Sequence, residues 1–244
     1  MLEIISIESI TQQGQTQPLF CKADDDCFYF VKYLEGATAN GLVKEWICGK
    51  MAQEFGFNVP YFQPAYIVQS LINSYPGFAK SNVINLPKEG VVFASQKVDF
   101  AQDFSVSNIN LVPVEKQQDL LVFDLWIRND DRNLTSQGGN VNLLWSVENS
   151  DFYVFDHNLA FDECDDGFLR THVFRKSTGE VYDLDLCMRN DYELKLQKLV
   201  QKWDNYVSSC PKEWLEADDF SLNLEKMYND LLEDANGAIW KRLL

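Results

Sequence analysis

Apolar residues alternate with polar ones along several short stretches of the first hundred positions, and they recur at helical spacing through most of the remainder. Residues 2–8 (LEIISIE), 18–23 and 28–33 (FYFVKY) are rich in β-branched and aromatic residues and read as strands. Between the last two, Ala23-Asp24-Asp25-Asp26 is a run of turn formers whose side chains cap their own backbone. It predicts a hairpin turn rather than a metal site. From Gly41 to Phe55, the residues Leu42, Val43, Trp46, Ile47, Met51, Ala52 and Phe55 share one broad face, which predicts a helix. Gly56 is placed to end that helix, and Pro60 forbids its resumption. Strand patterns follow at 62–70 and 91–98, separated by a loop of Asn, Ser, Pro and Gly.

The texture changes near Asp99. Residues 116–128 (KQQDLLVFDLWIR) are apolar almost all round, the mark of a helix sunk in a core. A polar loop with two glycines covers 129–140, and short strands are expected at 141–145 (VNLLW) and 152–156 (FYVFD). Helical periodicity then occupies 192–206, 211–217 with Pro211 at its start, and 220–243. These patterns predict an α+β protein with a β-rich N-terminal lobe over 1–98 and a mainly helical C-terminal lobe over 99–244. The link lies near 96–103.

Composition narrows the function classes. A chain of 244 residues can bury one sizeable core, or two lobes around a cleft, and not three domains. Only 21 Lys and Arg stand against 37 acidic residues, a formal net charge of −16, so the global field repels a polyphosphate backbone and nucleic acid is not expected as a partner. The six cysteines form no CxxC pair and only two histidines are present, which argues against structural zinc and for free thiols in a reducing cytoplasm. Met1–Ile10 lacks the basic-then-apolar pattern of a signal peptide, and no apolar run approaches the ~20 residues that span a bilayer. A cytoplasmic chain with no membrane partner is expected.

Candidate chemistry begins at Lys32. In FYFVKY it shares a face with Phe28 and Phe30, so its amine either snorkels to water or meets an anion. Glu45, on the following helix beside Trp46, either faces solvent or reaches inward to hold a lysine. Arg128-Asn129-Asp130-Asp131-Arg132 emerges directly from the buried helix, Asn140-Val141-Asn142 enters the next strand, and the second strand ends in Phe155-Asp156-His157. Such aspartates either cap turns or supply what phosphoryl transfer requires: one carboxylate to orient a hydroxyl, and an amide with a second carboxylate to hold Mg²⁺. Asp162-Glu163-Cys164-Asp165-Asp166-Gly167 lacks the ligand spacing of a calcium loop. Asp124, inside the buried helix, needs a structural partner.

Over most of residues 14–160 the sequence resembles HipA-like kinases, particularly their short single-module branch. Gly14-Gln15-Thr16-Gln17-Pro18 leading into KADDDCFYFVKY resembles the opening of that branch and its two nucleotide-binding strands, and KEWICGKMAQEFGFNVP resembles its helix. LLVFDLWIRNDDRN resembles the family's catalytic segment; NVNLLW and FYVFDHN resemble its Asn-bearing and metal-binding strands. The resemblance implies a bilobal protein-kinase-like fold and ATP- and Mg²⁺-dependent transfer to a serine or threonine of an unidentified protein. By it, Lys32 contacts the phosphates and Glu45 orients it, while Gln96 and Val98 lie where backbone groups meet adenine. Asp131 is the catalytic aspartate and Asp156 the main metal ligand. Asn140 fits the family register and Asn142 abuts the apolar strand, so either is the metal amide. The loop from Asn133 to Gly139 is longer than the family's usual spacing. An inactive, nucleotide-binding interaction module therefore stays open as an alternative, as does a small-molecule phosphotransferase with a cationic acceptor.

Overall fold

The computed structural model describes residues 1–11, 16–81, 85–134, 139–162, 171–175 and 184–242. Parts of three sequence features, Gly14-Gln15 in the opening motif, 135–138 in the long loop and 163–167 in the acidic run, lie outside the described residues. The chain is mixed α/β, β-rich at its N-terminal end and helical later, and it divides into two compact units. The first comprises Met1–Trp46, Pro60–Asp99 and Cys210–Ser221; the second comprises Ile47–Val59, Phe100–Ser209 and Leu222–Leu244.

The first unit is built on a closed barrel of β1 (Leu2–Ile10), β2 (Leu19–Ala23), β3 (Phe28–Lys32), β4 (Phe62–Ile67) and β5 (Gly90–Gln96), in the order β1-β2-β3-β5-β4. Leu2 pairs with Ala65 in parallel to close it. Alternation sends Leu19, Cys21, Val31, Ala65, Ile67 and Ala94 into one packed interior with Ile4 and Ile7. Burial there pushes the Cys21 thiol up to about 12. The aspartate run forms the expected turn. Asp24 accepts the Glu3 N–H (3.1 Å), while Asp25 accepts the Cys27 N–H (3.0 Å) and the Tyr29 hydroxyl (2.7 Å).

The other barrel face divides in two. At one end Phe62 and Phe93 are buried with Trp46. At the other, Phe20 packs against Phe28 (5.3 Å) and Phe30 (5.2 Å), which stay 38% and 39% exposed. Against this face lies the first part of α1 (Leu34–Phe55), through Glu45 at Lys32 and Trp46 at Phe62; the helix is interrupted at Thr38, where φ is 61° and ψ is 159°. The Thr38 hydroxyl accepts the Gly41 N–H (3.2 Å), so Thr38 acts as an N-cap and the helix restarts at Ala39, two residues before the position the periodicity suggests. Gly56 ends the helix as expected, at φ 110°, with its own N–H and that of Phe57 returning to the Ala52 carbonyl (3.2 and 3.1 Å).

In the second unit, β6 (Ala101–Asp103), β7 (Leu143–Ser146) and β8 (Asp151–Val154) form an antiparallel sheet. Phe104, Trp145, Phe152 and Phe174 pack edge to face or tilted beside it. The helix expected over 116–128 spans Val114–Trp126, and its residues Leu120–Trp126 are buried all round. The C-terminal helices run over Leu186–Val200, Trp203–Ser208 and Leu224–Ala235, with Lys212–Leu215 as a short turn in the first unit. The single helix expected over 192–206 breaks at Gln201-Lys202, and the one expected from 220 starts at Leu224, where Asn223 caps the Lys226 N–H (2.9 Å). Helices at Gln69–Ser74 and Val106–Ile109 were not legible in the periodicity, the first lying where a strand pattern ran on to 70. Among the described residues no helix is long and apolar enough to cross a membrane.

Gly56 offers a clean test of the helix end, because a Cβ added there meets nothing within 4 Å and the only cost is its positive φ. Gly56→Ala is expected to lower the unfolding free energy by about 1–2 kcal/mol in urea titration with an unchanged m-value. Wild-type stability would show that the backbone relaxes to negative φ at no cost.

Candidate active site

Lys32 ends β3 on the face shared with Phe28 and Phe30, but it does not snorkel. It is 9% exposed, and its Nζ lies 3.1 Å from Oε2 of Glu45, which is 5% exposed. A buried ammonium without a counter-charge is costly, so the amine and the helix carboxylate stabilise each other. Glu45 is aimed by its neighbour Trp46, whose indole sits edge-on to Phe62 at 5.4 Å. At the end of β5, the N–H of Gln96 is taken by the Tyr61 carbonyl (2.7 Å) and that of the next residue, Lys97, by the Phe28 carbonyl (2.8 Å). Val98 follows these two paired positions.

In the second unit, the site begins with Asp124, fully buried near the end of the helix Val114–Trp126. Its carboxylate accepts Asn129 Nδ2 (3.1 Å) and Arg132 Nε (2.8 Å), and it contacts His172 Nε2 at 3.0 Å. Burial alone would raise this carboxyl. The Arg132 charge, followed by His172 and Asn129, outweighs that and holds its pKa below the usual value. Arg132 is itself fully buried, and its Nη1 donates to the carbonyls of Asn142 (2.5 Å) and Phe155 (3.3 Å). One guanidinium thus ties the loop after the helix to the backbone of Asn142 and of Phe155, the residue before Asp156.

Asp131 lies between those anchors. Its Oδ2 accepts Asn140 Nδ2 (2.5 Å) and Asn142 Nδ2 (2.9 Å). The Asn133 N–H meets the Asn140 carbonyl at 2.8 Å and closes the long loop at its base. Burial raises the Asp131 pKa and the charge of Asp156 adds to this, against the two amides and Arg132. The Phe155 N–H returns to the Asn142 carbonyl (3.3 Å), and His157 packs edge-on to Phe123 at 6.2 Å, so Asp156 is held between two fixed neighbours. Arg128, Asn142 and Asp156 all have positive φ (53°, 49° and 59°). Backbone strain of this kind clusters where function demands a particular aim.

The structure thus joins Lys32 to Glu45 in one unit, and Asp131 to Asn140 and Asn142 in the other, with Asp156 near enough to act on Asp131. Sequence reasoning foresaw that Asp124 needs a partner. It did not identify Arg132 as that partner, and it set His172 aside as too sparse for a metal site. The available signal was an aspartate inside an all-apolar helix followed eight residues later by an arginine in a tight loop. Among the described residues no three His, Cys, Asp or Glu side chains gather as a metal site. A cation here would be held by mixed carboxylate and amide oxygens. Asn140 and Asn142 turn their NH₂ groups to Asp131, which leaves each amide oxygen, a hard donor, for such an ion.

A protein-family model described as HipA-like kinase matches residues 4–243. Among solved structures, the proinflammatory kinase CtkA of Helicobacter pylori is similar at a TM-score of 0.51 and 12% identity, over 98% of this chain and 94% of that one. At that identity the likeness shows a kinase-like fold. The FAT and kinase domain of CtTel1 is matched at a TM-score of 0.30 and 11% identity, over 98% of this chain and 21% of that one. No curated protein is matched by the sequence.

The Asp124 cluster carries a stability prediction. Asp124→Asn leaves Arg132 buried without its counter-charge and is expected to cost about 3–5 kcal/mol in urea unfolding. The folded-state pKa of Asp124 lies below its unfolded value of about 3.9. Its contribution is therefore full above that value and is lost as pH falls through the folded-state pKa. The gap between wild type and variant should close on acidification, and a gap unchanged at low pH would rule out the charge pair as its source.

Proposed function

The chain belongs to the HipA-like kinase family, and from that premise we propose that it is an ATP- and Mg²⁺-dependent serine/threonine protein kinase. The observation that carries this reading is Asp131 bonded to two asparagine amides, with the Asp156 carboxylate acting on it from nearby. Two carboxylates and an amide oxygen form the donor set that a hard cation and an attacking hydroxyl require together.

Mg²⁺, when bound, would supply positive charge against the phosphates of the nucleotide. Asp156 and Asn142 are the ligands assigned to hold it. Asn142 is preferred over Asn140 because it is buried at the entry to β7 and its backbone is tied to Arg132, whereas Asn140 is exposed beside the long loop. Asn140 then serves Asp131 alone. With Oδ2 of Asp131 engaged by both amides, its Oδ1 is the oxygen assigned to the acceptor hydroxyl, which it orients and whose proton it takes as the phosphoryl group transfers. Lys32 contacts the α- and β-phosphates, kept in place by Glu45. The purine is assigned to the aromatic run of half-buried Phe20 and exposed Phe28 and Phe30, on the same strand face as Lys32, with a backbone contact at Val98.

Thermal unfolding with Mg²⁺ and ATP tests the reading. Ligand at about 100 times its dissociation constant should stabilise the wild type by roughly 2.7 kcal/mol. Asp156→Ala should lose the Mg²⁺-dependent part of the shift. Asp131→Ala should keep the shift and lose phosphoryl transfer by about 10²- to 10⁴-fold. Asn142→Ala should raise the Mg²⁺ requirement and Asn140→Ala should not. A wild type that binds ATP without transferring it would mark an interaction module, and transfer only to small cationic hydroxyl compounds would mark a small-molecule enzyme. No shift at millimolar nucleotide would sink the proposal.

A further inference from the structure

The segment Cys210–Ser221 packs in the first unit, although the residues flanking it in sequence belong to the second. Its attachments converge on one short stretch of α1. The Trp214 side chain is fully buried, with its indole 6.1 Å from that of Trp46 and 6.5 Å from Phe93, and its Nε1–H donates to the Val91 carbonyl (3.0 Å). Asp219 Oδ2 accepts the Ala39 N–H (3.0 Å) at the first residue after the Thr38 break. Asn40 and Ser221 bond twice: Asn40 Nδ2 to Ser221 Oγ, and the Ser221 N–H to Asn40 Oδ1, both 2.9 Å.

These contacts bracket Glu45. Asp219 and Ser221 hold the start of the restarted helix, where a free N–H and the positive end of the helix dipole both favour a carboxylate. Trp214 holds Trp46, the residue after Glu45. A helix fixed at Ala39–Asn40 and again at Trp46 has neither rotation nor slide left between those points. The direction of the Glu45 side chain, and so its 3.1 Å pair with Lys32, follows from that fixation. A break at Thr38 would otherwise leave the helix hinged just ahead of Glu45.

We infer that Cys210–Ser221 is a built-in strap that sets the helix carrying Glu45, with Asp219 and Trp214 as positioning residues for Lys32. The functional consequence, tighter nucleotide phosphate binding, rests on the kinase reading above; the structural consequence does not. The strap acts from within the same chain, so whatever releases it would weaken nucleotide binding with no substitution at any residue assigned to touch the nucleotide.

Two readouts on the full chain test the strap. The first is the reactivity of Lys32 toward an amine-acylating reagent, followed by mass spectrometry, which requires no nucleotide. Asp219→Ala, which removes the cap, should raise Lys32 labelling by about fivefold, and Asp219→Asn, which keeps an accepting oxygen, should label like wild type. Ser221→Ala and Trp214→Phe serve as milder variants should Asp219→Ala fold poorly, and both should shift labelling in the same direction. The second readout is the dissociation constant for Mg²⁺–ATP, measured in a double-mutant cycle with Glu45→Gln. Asp219→Ala should weaken binding by about fivefold with Glu45 present and have no further effect in the Glu45→Gln background. Unchanged Lys32 labelling in all three strap variants, or an equal loss of affinity in both backgrounds, overturns the strap. A wild type that binds no nucleotide overturns the kinase reading, and Lys32 labelling still decides the strap.

Discussion

A carboxylate taken wholly out of water must be neutralised where it lies, and much of the candidate site follows from how this chain neutralises Asp124. Burying the ion is unfavourable, so partners must come to it. They are drawn from the loop that leaves its own helix (Asn129, Arg132) and from a segment distant in sequence (His172). Because Arg132 is committed to Asp124 through Nε, its Nη1 points at the carbonyls of Asn142 and Phe155. An electrostatic requirement at the helix end thereby becomes a positional constraint on the two strands. The residues assigned to substrate and cation are held by one assigned to neither.

The first unit solves a similar problem with a weaker clamp. Lys32 and Glu45 are also buried and opposite in charge, yet they come from a strand and a helix whose separation is set by Trp46, Phe62 and Trp214. Asp124 and Arg132 are eight residues apart, so the chain itself limits their separation. Lys32 and Glu45 depend on packing at Trp46 and on the Thr38 break being held. Of the two charge pairs, the one assigned to the nucleotide is therefore the one that distant residues can perturb.

What the sequence revealed and what it hid divide along the same physical line. Elements specified by local periodicity were legible: the barrel strands alternate, Leu120–Trp126 is apolar all round, and Gly56 supplies the positive φ that its helix end uses. Lys32, Glu45, Asp131, the two asparagines and Asp156 were legible as candidates, since each is a polar residue at the edge of an apolar run. Features specified by distant residues were not. The short strand Ala101–Asp103 exists because β7 pairs with it, and three residues carry no pattern of their own. The helix restart at Ala39 is capped by Asp219, 180 residues later. The strap was visible only as a helix over 211–217 with Pro211 at its start; that it belongs with the barrel depends on Trp214 finding Trp46 and Phe93.

The left-handed backbone at Arg128, Asn142 and Asp156 shows why some positions at such a site are constrained twice. Asn and Asp tolerate positive φ better than other non-glycine residues, so at 142 and 156 the residue types that suit the strained backbone also carry the hard oxygens proposed to hold the cation. Arg128 has no such tolerance, and a conformation of this kind costs of order 1–3 kcal/mol. Its guanidinium lies 3.2 Å from Asp230 and 3.5 Å from Asp234 on the helix Leu224–Ala235, whose Leu231 carbonyl also accepts the Trp126 indole N–H (3.1 Å). Those ion pairs offset the strain at the point where the buried helix turns into the loop. The C-terminal helix therefore supports the loop's geometry without supplying any group assigned to the chemistry, and the aim of Asp131 depends on residues about a hundred positions away.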